Sequence, residues 1–119
     1  MKLDLDIAAF SIASAIDPEH LQTFPFSRKF SSGVQNNAGV YFFYENSSLV
    51  YIGYSSKLRQ RIVPSHAALI GLNKQAIKFA YFEVGDNELA QAIEHQLIVL
   101  HNPSANGWPA KKRMCDGWA

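Results

Sequence analysis

The stretch Gly39-Val40-Tyr41-Phe42-Phe43-Tyr44-Glu45-Asn46-Ser47-Ser48-Leu49-Val50-Tyr51-Ile52-Gly53 decides the fold. Its two ends, Gly39 to Tyr44 and Leu49 to Gly53, are rich in Val, Ile, Tyr and Phe, the composition of paired strands. The polar Glu45-Asn46-Ser47-Ser48 between them predicts a β-hairpin. Loop parity matters, because successive strand side chains point to opposite faces. Gly39, Tyr41 and Phe43 share one face of the first strand, and Leu49, Tyr51 and Gly53 share one of the second. A loop of two or four residues sets Tyr41 opposite Ile52 and sends Tyr41 and Tyr51 to opposite faces. A three-residue loop, Asn46-Ser47-Ser48, sets Glu45 opposite Leu49, Phe43 opposite Tyr51 and Tyr41 opposite Gly53. The two tyrosines are then same-face diagonal neighbours, about 7–8 Å apart. We expect that odd loop, or a bulge with the same effect.

Beyond the hairpin, Ser55 or Ser56 can cap a short helix over Lys57 to Ile62, with Leu58 and Ile62 on its buried side. Pro64 should end or kink it, and a second short helix is expected from Ser65 to Leu72. Ile77 to Val84 reads as a third strand. Asp86 can cap a helix over Asn87 to His101, with Leu89, Ile93, Leu97 and Leu100 as its core stripe. Ala90, Glu94, Ile98 and His101 form the neighbouring stripe, so Glu94 stands at the edge of buried surface. Upstream, Leu3, Leu5 and Ile7 alternate with Asp4 and Asp6, the period of a half-buried strand. Asp17-Pro18-Glu19 reads as a helix start, and Ser27 to Asn37 as a loop.

Composition bounds the function classes. At 119 residues, 48% apolar and 18% charged, the chain suits one globular core rather than a disordered segment. No apolar run is long enough to span a membrane. Asp4 and Asp6 precede the weakly polar Ile7 to Ile16 where a secretion signal carries positive charge. A single cysteine, Cys115, excludes an internal disulfide and a multi-cysteine zinc site, which fits a cytoplasmic protein. The formal net charge of +1 hides a division, because residues 1–26 carry one base and four acids. The basic clusters are Lys57, Arg59, Arg61 and Lys111-Lys112-Arg113, compatible with a polyanion partner.

Five further positions stand in a definite order. Gly39-Val40-Tyr41 is followed by Tyr51-Ile52-Gly53, then Arg61, then Glu94 with Leu97-Ile98 behind it, then Asn106 after Pro103. Singly, each has an ordinary reading: strand aromatics, a solvated arginine, a surface acid, a turn asparagine. Taken together and in order, they resemble the GIY-YIG nuclease superfamily over about residues 38–107. Tyr54 stands where many members carry lysine. The position one helical turn after the arginine is Ser65, with His66 one further, which leaves His66 as a candidate general acid or base.

The resemblance implies an α+β domain: a small three-stranded antiparallel sheet flanked by helices over residues 38–107. Residues 1–37 would form an N-terminal extension packed on it, and 108–119 a C-terminal tail. It implies an endonuclease that hydrolyses DNA, with RNA as the other polyanion the chemistry admits. Tyr41 would position or activate water, assisted by Tyr51. Arg61, always protonated and able to grip two phosphate oxygens, would stabilise phosphoryl charge. Glu94 would hold one Mg²⁺ or Mn²⁺, and Asn106 would brace the site. The alternative is a nucleic-acid-binding or protein-interaction module that keeps the scaffold without cleavage. Trp108 and Trp118 in the tail could stack on bases, and Trp108 could equally fill the core.

Overall fold

The computed structural model describes residues 2–25, 33–62, 77–103 and 106. In chain order they form helix α1 (Lys2–Ala15), a single 3-10 turn (Pro18–His20), strand β1 (Phe24–Pro25), and strands β2 (Gly39–Glu45) and β3 (Ser48–Ser55). Helix α2 (Leu58–Arg61), strand β4 (Ile77–Glu83) and helix α3 (Asn87–His101) follow. The strands make one antiparallel sheet in the order β1-β4-β2-β3. The expected three strands are present, and the two-residue β1 adds a fourth beside β4.

The hairpin reaches the expected register by the bulge. Tyr41 faces Gly53 and Phe43 faces Tyr51, as required for the tyrosines to share a face. The loop, however, is the two residues Asn46 and Ser47, both at positive φ (53° and 68°), as the tight hairpin turn demands. Glu45 then faces Ser48 and Tyr44 faces Leu49, and Val50 is the extra residue. Val50 therefore packs beside Tyr51 on one face, while Leu49 turns to the opposite face with Tyr44. The three-residue loop, and the placing of Leu49 with Tyr51, are corrected accordingly.

The N-terminal strand expected from Leu3, Leu5 and Ile7 is a helix instead. Ala8, Ala9, Ala13 and Ala15 are the strongest helix formers, and Asp4 sits in the first turn, where the helix dipole favours an acid. Ala9 and Ala13, four apart, are fully buried against the core that contains Ala90 of α3. Their small size lets α1 lie close on α3. The short alternation is outvoted by tertiary burial: Ile7 is 60% exposed.

The sheet has two covered faces. Val40, Phe42, Tyr44, Ile52 and Ala80 meet Ala90, Ile93 and Leu97 of α3 and the buried side of α1. Tyr41, Phe43, Val50, Tyr51, Ile77 and Phe79 meet Val34, Leu58 and Ile62 on the other face. The α3 helix starts as expected, with Asp86 Oδ1 accepting the Leu89 N–H at 3.0 Å, and ends at Asn102 in the left-handed conformation. Leu100, expected in the core stripe, is 48% exposed because it lies past the end of the covered surface. The α2 helix begins at Leu58 with Lys57 at its N-cap and no side-chain cap, so the expected serine cap is corrected; Ser55 Oγ accepts the Lys57 N–H at 3.0 Å in the turn before the helix. The helix expected over Ser65 to Leu72 lies outside the described residues.

Asp17-Pro18-Glu19 does start a helical turn, with Asp17 accepting the Glu19 N–H. The Tyr44 hydroxyl, on the sheet face that α1 and α3 cover, donates to the Pro18 carbonyl at 2.6 Å, tying this N-terminal segment to β2. Tyr44→Phe is expected to lower stability by about 1–2 kcal/mol, since it strands a buried carbonyl. Urea titration should show a lower midpoint with an unchanged slope. Burial pushes the phenol groups of Tyr41 and Tyr44 above their ordinary pKa. Their contribution is complete below pH about 10 and is lost as pH rises through the folded-state values. Urea midpoints measured at rising alkaline pH should fall, less steeply in Tyr44→Phe.

Candidate active site

Gly53 determines how the two motifs meet. It is the cross-strand partner of Tyr41, and a Cβ built on it would overlap the phenol ring of Tyr41. The missing side chain lets the Tyr41 ring lie over the β3 backbone and extend toward the sheet edge. Gly39 is constrained similarly, since its Cβ would meet the Phe82 carbonyl at 2.5 Å and Leu58 at 2.6 Å. Tyr41 and Tyr51 have ring centroids 6.0 Å apart, and Phe43 packs 5.1 Å from Tyr41 and 5.9 Å from Tyr51. These aromatic contacts pin both phenols.

The rings border a cavity of about 140 Å³ at the end of β3. Tyr41, Tyr51, Arg61 and Glu94 all line it, so four sequence-predicted residues from β2, β3, α2 and α3 converge. The cavity wraps the sheet edge: the tyrosines reach it from one face and α3 supplies Glu94 from the other. Glu94 is 3% exposed and Tyr41 1%, whereas Arg61 at the end of α2 is exposed. The cavity thus has a buried acidic floor and a cationic rim. Nearby, Arg59 is tied by its Nε to the Val34 carbonyl at 2.8 Å. Burial raises the Tyr41 pKa well above its ordinary value; Tyr51 adds to the shift and Arg61 opposes it.

Asn106 stands outside the cavity lining but is buried beside it. Its Oδ1 accepts the Ile52 N–H at 2.7 Å and its Nδ2 donates to the Ile52 carbonyl at 2.9 Å. Strand β3 is at the sheet edge, and Asn106 completes the hydrogen bonding that a further strand would supply. It holds the residue between Tyr51 and Gly53. His66 lies outside the described residues.

Among the described residues, no three His, Cys, Asp or Glu side chains gather as a metal-binding group. One buried carboxylate opening on a small polar cavity suits a hard cation that keeps most of its waters, such as Mg²⁺. The sequence reading missed Tyr54, Ser55, Ser56 and Asn87, which also line the cavity. The consecutive hydroxyls directly after Gly53 carried that signal for Tyr54, Ser55 and Ser56. Asn87 had none, because its place depends on where α3 crosses the sheet.

Comparison with known proteins agrees with this arrangement. A family model described as the GIY-YIG catalytic domain matches residues 37–107. The fold is similar to the GIY-YIG N-terminal endonuclease domain of UvrC from Thermotoga maritima, solved bound to its catalytic divalent cation, magnesium. That likeness has a TM-score of 0.54 and 23% identity, over 66% of this chain and 93% of that one. No curated protein sequence matches the chain. The family match spans more than half of the chain and contains both tyrosine motifs, Arg61, Glu94 and Asn106. The chain therefore belongs to the GIY-YIG catalytic domain family, a family of nucleases.

Proposed function

We propose that this protein is a metal-dependent endonuclease that hydrolyses DNA phosphodiester bonds with one divalent cation. The convergence of Tyr41, Tyr51, Arg61 and the buried Glu94 carboxylate in one cavity carries this reading. A cavity of about 140 Å³ has room for a phosphate group and a few waters, so it suits attack on the backbone.

Hydrolysis adds water to phosphorus and breaks the bond to one sugar oxygen, with charge building on the phosphoryl oxygens. Arg61 at the rim meets that charge with a permanently protonated guanidinium. Glu94 would hold Mg²⁺ or Mn²⁺, which supplies further positive charge to the phosphoryl oxygens. Tyr41 orients the attacking water through its hydroxyl, and Tyr51 supports it. Burial keeps the Tyr41 phenol protonated at neutral pH, so positioning suits it better than direct proton removal. Asn106 keeps β3 in register and so braces Tyr51 and Gly53. His66 remains the candidate proton donor or acceptor. We place the activity in the cytoplasm; among the described residues no helix is long and apolar enough to cross a membrane.

The second reading is a non-cleaving nucleic-acid-binding or protein-interaction module. Tyr54, uncharged where many family members carry lysine, is the observation that favours it.

Supercoiled plasmid incubated with Mg²⁺ should be nicked by the native protein. Glu94→Ala and Arg61→Ala should each lose about 100-fold or more of the rate, and EDTA should abolish it. Salt-sensitive DNA binding without nicking would select the module. Gly53→Ala should also lose most of its nicking, because the added methyl displaces the Tyr41 ring. Its circular dichroism spectrum should match that of the native protein, which separates a displaced ring from an unfolded chain.

A further inference from the structure

The chain has five tyrosines, and four of them are engaged inside the fold. Tyr41 and Tyr51 pack on one another, Tyr44 is bonded to Pro18, and Tyr81 stacks on Phe79 and Phe24. Tyr54 differs. Its backbone pairs with Val40 in the sheet, but among the described residues its side chain makes no hydrogen bond and no ring contact. It is half-buried and lines the cavity beside Glu94 and Arg61. By strand alternation it projects from the face opposite Tyr51 and Gly53, the face on which α3 carries Glu94. Asn87, in the first turn of α3, borders the same side of the cavity.

A part-buried aromatic side chain with no ring or hydrogen-bond partner among the described residues is unusual, because rings are normally packed or hydrogen-bonded. Here it stands at the edge of a cavity whose floor is acidic and whose rim is cationic. A phosphate drawn to Arg61 brings its own sugar and base to that edge. The ring offers that base a flat apolar surface, and every base has a face that can stack on it.

We propose that Tyr54 binds the nucleobase next to the scissile phosphate by stacking, and so replaces a charge contact with an aromatic one. The proposal rests on the nuclease reading of the same cavity. It also defines the preferred substrate. A base can meet the ring only after leaving its own stack, so Tyr54 favours single-stranded or locally unpaired DNA.

The test measures cleavage kinetics with Mg²⁺, and binding by fluorescence anisotropy of a short fluorescein-labelled DNA, single-stranded and duplex. Binding is measured in the Glu94→Ala background, so that cleavage does not intrude. Tyr54→Ala should weaken binding of the single strand roughly tenfold, and less for the duplex. The loss should fall on KM rather than on kcat. Tyr54→Phe and Tyr54→Trp should restore most of it, because they keep the ring. The salt slope of binding should stay as in the parent, since the ring releases no counterions.

Unchanged binding in Tyr54→Ala overturns the proposal while native nicking leaves the nuclease reading standing. So does a Tyr54→Phe variant as weak as Tyr54→Ala, which would assign the contact to the hydroxyl. A loss confined to duplex DNA overturns it equally. If native protein binds DNA with this Tyr54 dependence but does not nick, the base contact stands and the nuclease reading falls. If it neither binds nor nicks, both fall.

Discussion

The site depends on the contact between the Tyr41 ring and the bare backbone of Gly53. Two strands can place a large ring over a neighbouring backbone only where the opposing residue lacks a Cβ. That contact has two preconditions. The register must set Tyr41 against Gly53 and not against Ile52, and β3 must hold its place at the sheet edge, where among the described residues no further strand pairs with it. The bulge at Val50 meets the first, and the two hydrogen bonds from Asn106 to Ile52 meet the second. The hairpin, the bulge and the distant asparagine therefore act on one geometric result.

The cavity's polarity follows from where each element meets the β3 edge. A buried carboxylate is costly unless something compensates its charge. Ala90, Ile93 and Leu97 on the adjacent turns are buried against the sheet and fix the helix that carries Glu94. Arg61 is set differently, at the end of a one-turn helix anchored by Leu58 and Ile62, which leaves its long side chain exposed toward a ligand. A buried acid and an exposed base across a small volume are the arrangement on which the proposed seat for a cation and landing point for a phosphate rest.

Much of this was legible in the residues themselves. Asp86 before an apolar periodicity marked the start of α3 to the residue, because capping is a local interaction. The β-rich runs around Asn46 and Ser47 marked the hairpin, and the need for a shared face predicted an odd offset. The way that offset arises was not legible: a two-residue turn plus a bulge and a three-residue loop satisfy the same parity. Leu3 to Ile7 were misread, because three alternating apolar residues imitate a strand when the partner surface is unknown. The alanine spacing that buries Ala9 and Ala13 has meaning only once α3 is in place.

The hairpin, the capped helix and the candidate residues for phosphate and a hard cation are legible in the chain alone. These depend on side-chain chemistry and on interactions within a few residues of one another. Only the tertiary structure decided that Glu94 reaches the tyrosines around the sheet edge, that Asn106 grips Ile52 across 54 positions of chain, and that Tyr54 is left at the cavity edge. Each of these depends on where α3 crosses the sheet. That crossing is set by the packing of α1, α3 and the strands together, a sum of many apolar contacts that no local pattern encodes.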